Sequence, residues 1–162
     1  MFDIPASKIK VVVHPESIVH SMVEFTDGST IAQLSPPDMR TPIQYALTYP
    51  HRLPGCGRRM DWTQQIALHF EPPDPARYPA LAIAYEVAEK GGTLGAVMNA
   101  ANEVAVEGFL AGKIGFGGIC EVVARTIRGH RLEAQPTMDD LIEADRWARS
   151  SASELLHLSA VS

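Results

Sequence analysis

The spacing of apolar residues changes period near Pro79, so no single layer of secondary structure accommodates both halves of the chain. Upstream the pattern suits strands. Lys10-Val11-Val12-Val13-His14 is a short β-branched run. From Val19 to Thr26 the residues alternate, with Val19, Ser21, Val23 and Phe25 on one parity and His20, Met22 and Glu24 on the other. Asp27-Gly28 predicts a type I′ turn and Thr30 to Leu34 the returning strand, giving an antiparallel hairpin over residues 19–34. Ser35-Pro36-Pro37-Asp38 ends the strand. Thr41 then reads as an N-cap and Pro42 as the first helical residue of a short helix reaching about Leu47. Residues 51–79 are rich in Pro, Gly and Arg and read as a connecting region with one strand near 65–70.

Beyond Pro79 the period is helical. Leu81, Ala84, Tyr85 and Ala88 form one stripe closed by Gly91-Gly92. Leu94, Val97, Met98, Ala101, Val104, Ala105 and Phe109 form a longer one, closed by Gly112. Ile119, Val122, Val123, Thr126 and Ile127 mark a third helix, and Thr137-Met138-Asp139-Asp140 opens a fourth like a capping box. Stripes on one side and short loops predict a bundle of about four helices, so the fold class is α+β.

Charge and length then exclude function classes. The 162 residues carry 14 Lys+Arg against 19 Asp+Glu, a formal charge of −5, which argues against binding to a nucleic-acid duplex. No stretch approaches the roughly 20 apolar residues of a membrane helix, and Met1-Phe2-Asp3-Ile4-Pro5 lacks the basic and apolar regions of a leader. A cytoplasmic protein is expected. Cys56 and Cys120 share neither a metal-ligand nor a redox spacing and read as reduced bystanders. A chain of this length buries roughly 70% of its unfolded surface and needs no staple.

Few residues offer chemistry. His14 and His20 lie in one strand-turn-strand segment with Glu16 between them, which suggests a metal hydrolase site in one reading and strand-end hydrogen bonds in another. His20 is also a candidate for proton transfer near neutral pH. A nucleophilic triad would use Ser17 or Ser21 with His20 and Asp38, but adjacent strand residues point to opposite faces and there is no Gly-x-Ser-x-Gly. Gly115-Phe116-Gly117-Gly118 lacks the Lys-Ser/Thr of a P-loop. The basic stretch from His51-Arg52 to Arg58-Arg59 suits either an anion or solvent. Asn99, Asn102 and Glu103, polar on an apolar helix, read as groups that tie it to a neighbour.

The segments Val12-Val-His-Pro-Glu-Ser-Ile-Val-His-Ser-Met-Val23, Ile31-Ala-Gln-Leu34, Pro37-Asp-Met-Arg-Thr-Pro42 and Met98-Asn-Ala-Ala-Asn-Glu103 resemble, in order and spacing, 1-deoxy-D-xylulose-5-phosphate reductoisomerases. The resemblance runs from about Phe2 to the last helix and is to the carboxy-terminal part of that family. It implies a remnant of the catalytic domain over residues 1–70 and the C-terminal helical bundle over residues 71–162. It also implies an NADPH-dependent enzyme of non-mevalonate isoprenoid biosynthesis, requiring Mg²⁺ or Mn²⁺, homodimeric and sensitive to fosmidomycin. The NADPH-binding domain, the metal ligands and the substrate-phosphate ligands are expected upstream of Met1, so no metal ligand is assigned here and the isolated chain is expected to be inactive. By the same resemblance His20 takes a supporting role near the active site and Met39 stands beside the nicotinamide ring. Pro36 occupies a place where the resemblance implies a small, polar or acidic residue. The alternatives are a free-standing helical binding module, which would leave exposed apolar patches, and a metal hydrolase using His14, Glu16 and His20.

Overall fold

The computed structural model describes residues 4–159, which divide into two compact units: Val11–Pro73, and the described residues on either side of that span. The first unit holds the hairpin of β1 (Val19–Glu24) and β2 (Thr30–Leu34) and the helix α1 (Arg40–Thr48). The second holds a short 3-10 turn at Ala6–Lys8 and the helices α2 (Pro79–Lys90), α3 (Leu94–Leu110), α4 (Phe116–Gly129) and α5 (Met138–Ser159). The mixed α+β class and the four-helix count follow the sequence reading.

The hairpin departs from expectation at both ends. At its tip the turn is not type I′, which needs two residues with positive φ. Gly28 alone of the turn has one, at 84°, and Asp27 instead uses its carboxylate to accept hydrogen bonds from the amide and hydroxyl of Ser29. The amide of Phe25 donates to the Ser29 carbonyl and that of Gly28 to the Phe25 carbonyl, which makes a three-residue loop ending on a glycine bulge. At the other end Val19 faces Leu34 while Ser21 faces Gln33, so His20 is an extra, unpaired residue. This bulge shifts the side-chain alternation expected for β1 at its first residues.

The strand expected near residues 65–70 does not form. A single antiparallel bridge joins Val13 to Glu71, and the described residues offer no ladder to extend it. α1 starts earlier than Thr41, with Met39 at its N-cap, and just upstream Asp38 Oδ1 accepts the Arg40 amide at 3.0 Å. Pro42 then falls within the first turn, where its missing N–H leaves no bond unmade. No residue from Val11 to Pro73 is buried, and Met22, Val23, Phe25 and Ile31 of the hairpin region are all exposed. This unit has no core of its own.

The helical unit has one. Val97, Ala100, Ala101 and Ala105 of α3, Val122, Val123 and Ile127 of α4, and Ala144, Ala148, Ala152 and Leu156 of α5 are buried together. Alanines four apart on α5 make a smooth seam that lets α3 approach closely. On α2 the expected stripe is displaced by one position: Val87 is buried and Ile83 packs against the core, whereas Ala84 and Ala88 are exposed. Burial favours the larger β-branched side chains over alanine, which gains little from it. Phe109 is also outside the core and meets Phe116 edge to face. α3 ends on Gly112 at φ 69°, with the Gly112 amide bonded to Phe109 O and that of Lys113 to Gly108 O, a Schellman motif. At the start of α5, Thr137 and Asp140 satisfy one another's amides, the reciprocal cap read from the sequence.

Candidate functional site

His20 and Met39 are joined through the end of β2. The bulge turns the His20 ring so that Nε2 donates to the Ser35 carbonyl at 3.1 Å, while the Ser35 amide donates to Ile18 O at 3.0 Å. Ser35 is thereby held from both sides at the mouth of the Pro36-Pro37-Asp38-Met39 loop.

The far side of the loop is fixed by Asp38. Its carboxylate accepts the Arg40 amide and, in a fork, Nε at 2.9 Å and Nη2 at 2.6 Å of the same residue. These bonds from Arg40 hold the Asp38 carboxyl well below the usual carboxylate range and raise the guanidinium. The Arg58 amide also reaches Asp38. Gly57 lies so close that a Cβ there would stand 2.7 Å from Thr41 Oγ1 and 3.2 Å from Asp38 Oδ2. Gln44 on α1 fastens the same loop by donating to Pro54 O at 2.8 Å and accepting from the Cys56 amide at 3.2 Å. Between these anchors Met39, the N-cap of α1, has helical geometry and 70% of its surface exposed. The result is a rigid backbone presenting a free thioether, a polarisable apolar surface without a titrating group.

The sequence offers Asp38 only as the acid of a triad, and it does not mark Arg40 or Gly57 as site residues. The available signal was Asp38-Met39-Arg40, an acidic residue two before a helix start with a cation within reach of it. Other candidates separate. Asp38 is engaged by Arg40 and His20 by Ser35, so no triad with Ser17 or Ser21 is assembled. His14 and Glu16 do meet, but with His69 and not with His20. Among the described residues no group of three or more His, Cys, Asp or Glu is placed to hold a metal ion. In the basic stretch, Arg52 lies over the Tyr45 ring at 4.2 Å. Asn99 donates to Glu103 at 3.0 Å, and Glu103 accepts from Arg149 at 2.7 Å, so this polar patch ties α3 to α5. Arg149 is also bonded to Asp145; these bonds raise the guanidinium and lower the Glu103 carboxyl.

The family described as the DXP reductoisomerase C-terminal domain matches residues 34–151. The 1-deoxy-D-xylulose 5-phosphate reductoisomerase of Rhodopirellula baltica is 56% identical over 158 residues, covering 98% of this chain and 35% of the relative. That of Geobacter metallireducens is 51% identical over 159 residues, covering 98% and 41%. Among solved structures, the Zymomonas mobilis reductoisomerase in complex with NADPH superposes with a TM-score of 0.86 at 43% identity, covering 96% of this chain and 41% of that one. A DOX-P reductoisomerase in complex with NADPH, fosmidomycin and magnesium gives 0.84 at 36% identity, covering 97% and 41%. The chain spans 35% and 41% of the length of the two curated relatives, and it belongs to the DXP reductoisomerase family as a C-terminal portion.

Proposed function

We propose that the chain serves as the C-terminal part of an NADPH-dependent enzyme. That enzyme rearranges 1-deoxy-D-xylulose 5-phosphate and reduces the resulting aldehyde to 2-C-methyl-D-erythritol 4-phosphate for non-mevalonate isoprenoid synthesis. Residues 1–70 complete a catalytic domain that begins upstream, and residues 71–162 form the C-terminal helical bundle. The observation that carries this reading is the fixed Met39 loop, set in a unit without a buried residue. A two-stranded hairpin with apolar residues on display is marginal alone and suits a piece completed by further chain. Homodimerisation in the cytoplasm belongs to the same reading.

Met39 fits a nicotinamide ring. Its thioether is exposed, apolar and borne on backbone hydrogen-bonded on both sides, so it would cover one face of the ring and keep water from the reacting carbon. When bound, NADPH supplies the hydride. His20 holds the loop through Ser35, and Asp38 fixes the backbone on the other side of Met39, which sets the wall to the tolerance hydride transfer demands. The part of this chain in the reaction is to orient and exclude, with the Mg²⁺ or Mn²⁺ ligands supplied by the upstream portion.

The test is direct. Incubated with 1-deoxy-D-xylulose 5-phosphate, NADPH and Mn²⁺, the 162-residue chain alone is expected to oxidise no NADPH above the blank. Turnover by the isolated chain would refute the division of labour proposed here.

A further inference from the structure

The two ends of the 11–73 unit are joined by one compact cluster outside the Met39 site. The amides and carbonyls of Val13 and Glu71 bond reciprocally at 2.8 and 2.9 Å. One residue on, His14 Nδ1 donates to the His69 carbonyl at 2.7 Å and lies 3.1 Å from Glu16 Oε2. Glu16 completes the cluster, accepting the His69 amide at 3.1 Å through Oε2 and pairing through Oε1 with the His69 ring. The ring of Phe70 stacks on His14 at 4.7 Å. Ser17, which follows, is held at φ 51°, a conformation a non-glycine residue adopts only under local constraint. The Ser17 amide bonds back to His14 O at 3.1 Å and closes the turn that launches β1.

The two histidines in this cluster differ in kind. The His14 side chain is only 6% exposed, and its Nε2 is buried with no partner among the described residues, so a proton there would have no acceptor. His14 therefore acts as a strut, bonded through Nδ1 to the His69 carbonyl. The His69 side chain is 66% exposed and free to exchange its proton with water. The charged groups facing it are Glu16, by direct contact, and Glu71, at longer range.

We propose that His14, Glu16 and His69 form a pH-sensitive clasp that closes the 11–73 unit and fixes the turn before β1, with His69 as its switch and Glu16 as its keystone. The clasp stands whether or not Met39 contacts a cofactor. Its pairing with Glu16 raises His69 above its usual 6.5, and the bonds from His69 lower Glu16 from 4.5 to about 2. A raised histidine contributes fully below 6.5 and its contribution is lost as pH rises through its folded value. A lowered carboxyl contributes fully above 4.5 and its contribution is lost as pH falls towards about 2. The clasp is therefore firmest between 4.5 and 6.5 and loosens as His69 discharges.

Nuclear magnetic resonance of the 162-residue chain tests this, with the His69 ring titrated and amide-exchange protection of Val13 and Glu71 followed from about pH 5 to about pH 8. The expected result is a His69 midpoint above 6.5 and protection at both amides that falls severalfold as His69 loses its proton, after correction for intrinsic exchange. In Glu16→Gln the midpoint should return towards 6.5 and the pH dependence of protection should vanish, while the α3 amides stay unchanged as an internal control. His69→Gln, which keeps Glu16 and the backbone bonds, should show at every pH the lower protection the parent reaches at high pH. An unshifted His69 midpoint, or full low-pH protection retained in His69→Gln, overturns the proposal.

Discussion

At Met39 the backbone is fixed from both sides while the thioether is left free. Had the residue been buried it would be core, and had the loop been loose it could not hold a ring in place. Met39→Ala, in an enzyme that contains the upstream portion, is expected to raise the NADPH KM several-fold with little change in metal dependence. Steady-state kinetics at varied NADPH and varied Mn²⁺ would check this. His130 makes a separate prediction in the helical unit. Its Nε2 lies 2.7 Å from Thr93 Oγ1, which also accepts the Glu133 amide at 3.2 Å. Burial lowers His130 below 6.5, so the unfolded chain takes up this proton more readily than the folded one, and stability falls as pH drops below 6.5. Urea titrations at about pH 7 and about pH 5 should show a loss on acidification that is smaller in His130→Gln. The resemblance points to Met39 and His20, but the bonds that hold the backbone around them are not readable from the sequence. The bulge at His20 exists only in the pairing of two strands, and Glu16 meets His69 across 53 residues of sequence.

Among the elements, the helices were the most legible because period and punctuation agree. α3 has its apolar stripe and its Gly112 stop, and α5 its Thr137 cap, so local and global preferences point the same way. α2 was read one position out because Ala84 and Ala88 are as compatible with a helical stripe as Ile83 and Val87, and only the packed neighbour decides. Residues 65–70 have strand composition but no partner, and composition alone cannot supply one. The seam between α3 and α5 rests on small residues, with Ala100, Ala101, Ala105, Ala148 and Ala152 all fully buried. Ala148→Leu forces extra methylenes into that seam and should cost about 1–3 kcal/mol. The denaturation midpoint of the helical unit should fall accordingly, whereas a neutral result would show that α3 and α5 separate more easily than their packing indicates.

On the scale of the whole chain, the two units differ in what supports them. The helical unit buries aliphatic residues from α2, α3, α4 and α5 and is tied across α3 and α5 by Glu103 and Arg149. The Val11–Pro73 unit has no buried apolar residue, is closed by the His14–Glu16–His69 cluster, and displays Met39. That contrast matches a chain that spans about two-fifths of the solved relatives it superposes on. The most direct measurement joins this chain behind the NADPH-binding and upstream catalytic portions of the Rhodopirellula baltica relative and follows NADPH consumption with 1-deoxy-D-xylulose 5-phosphate and Mn²⁺. Turnover is expected from the joined protein and none from either part alone. A joined protein that folds and binds NADPH yet consumes none with substrate would contradict it.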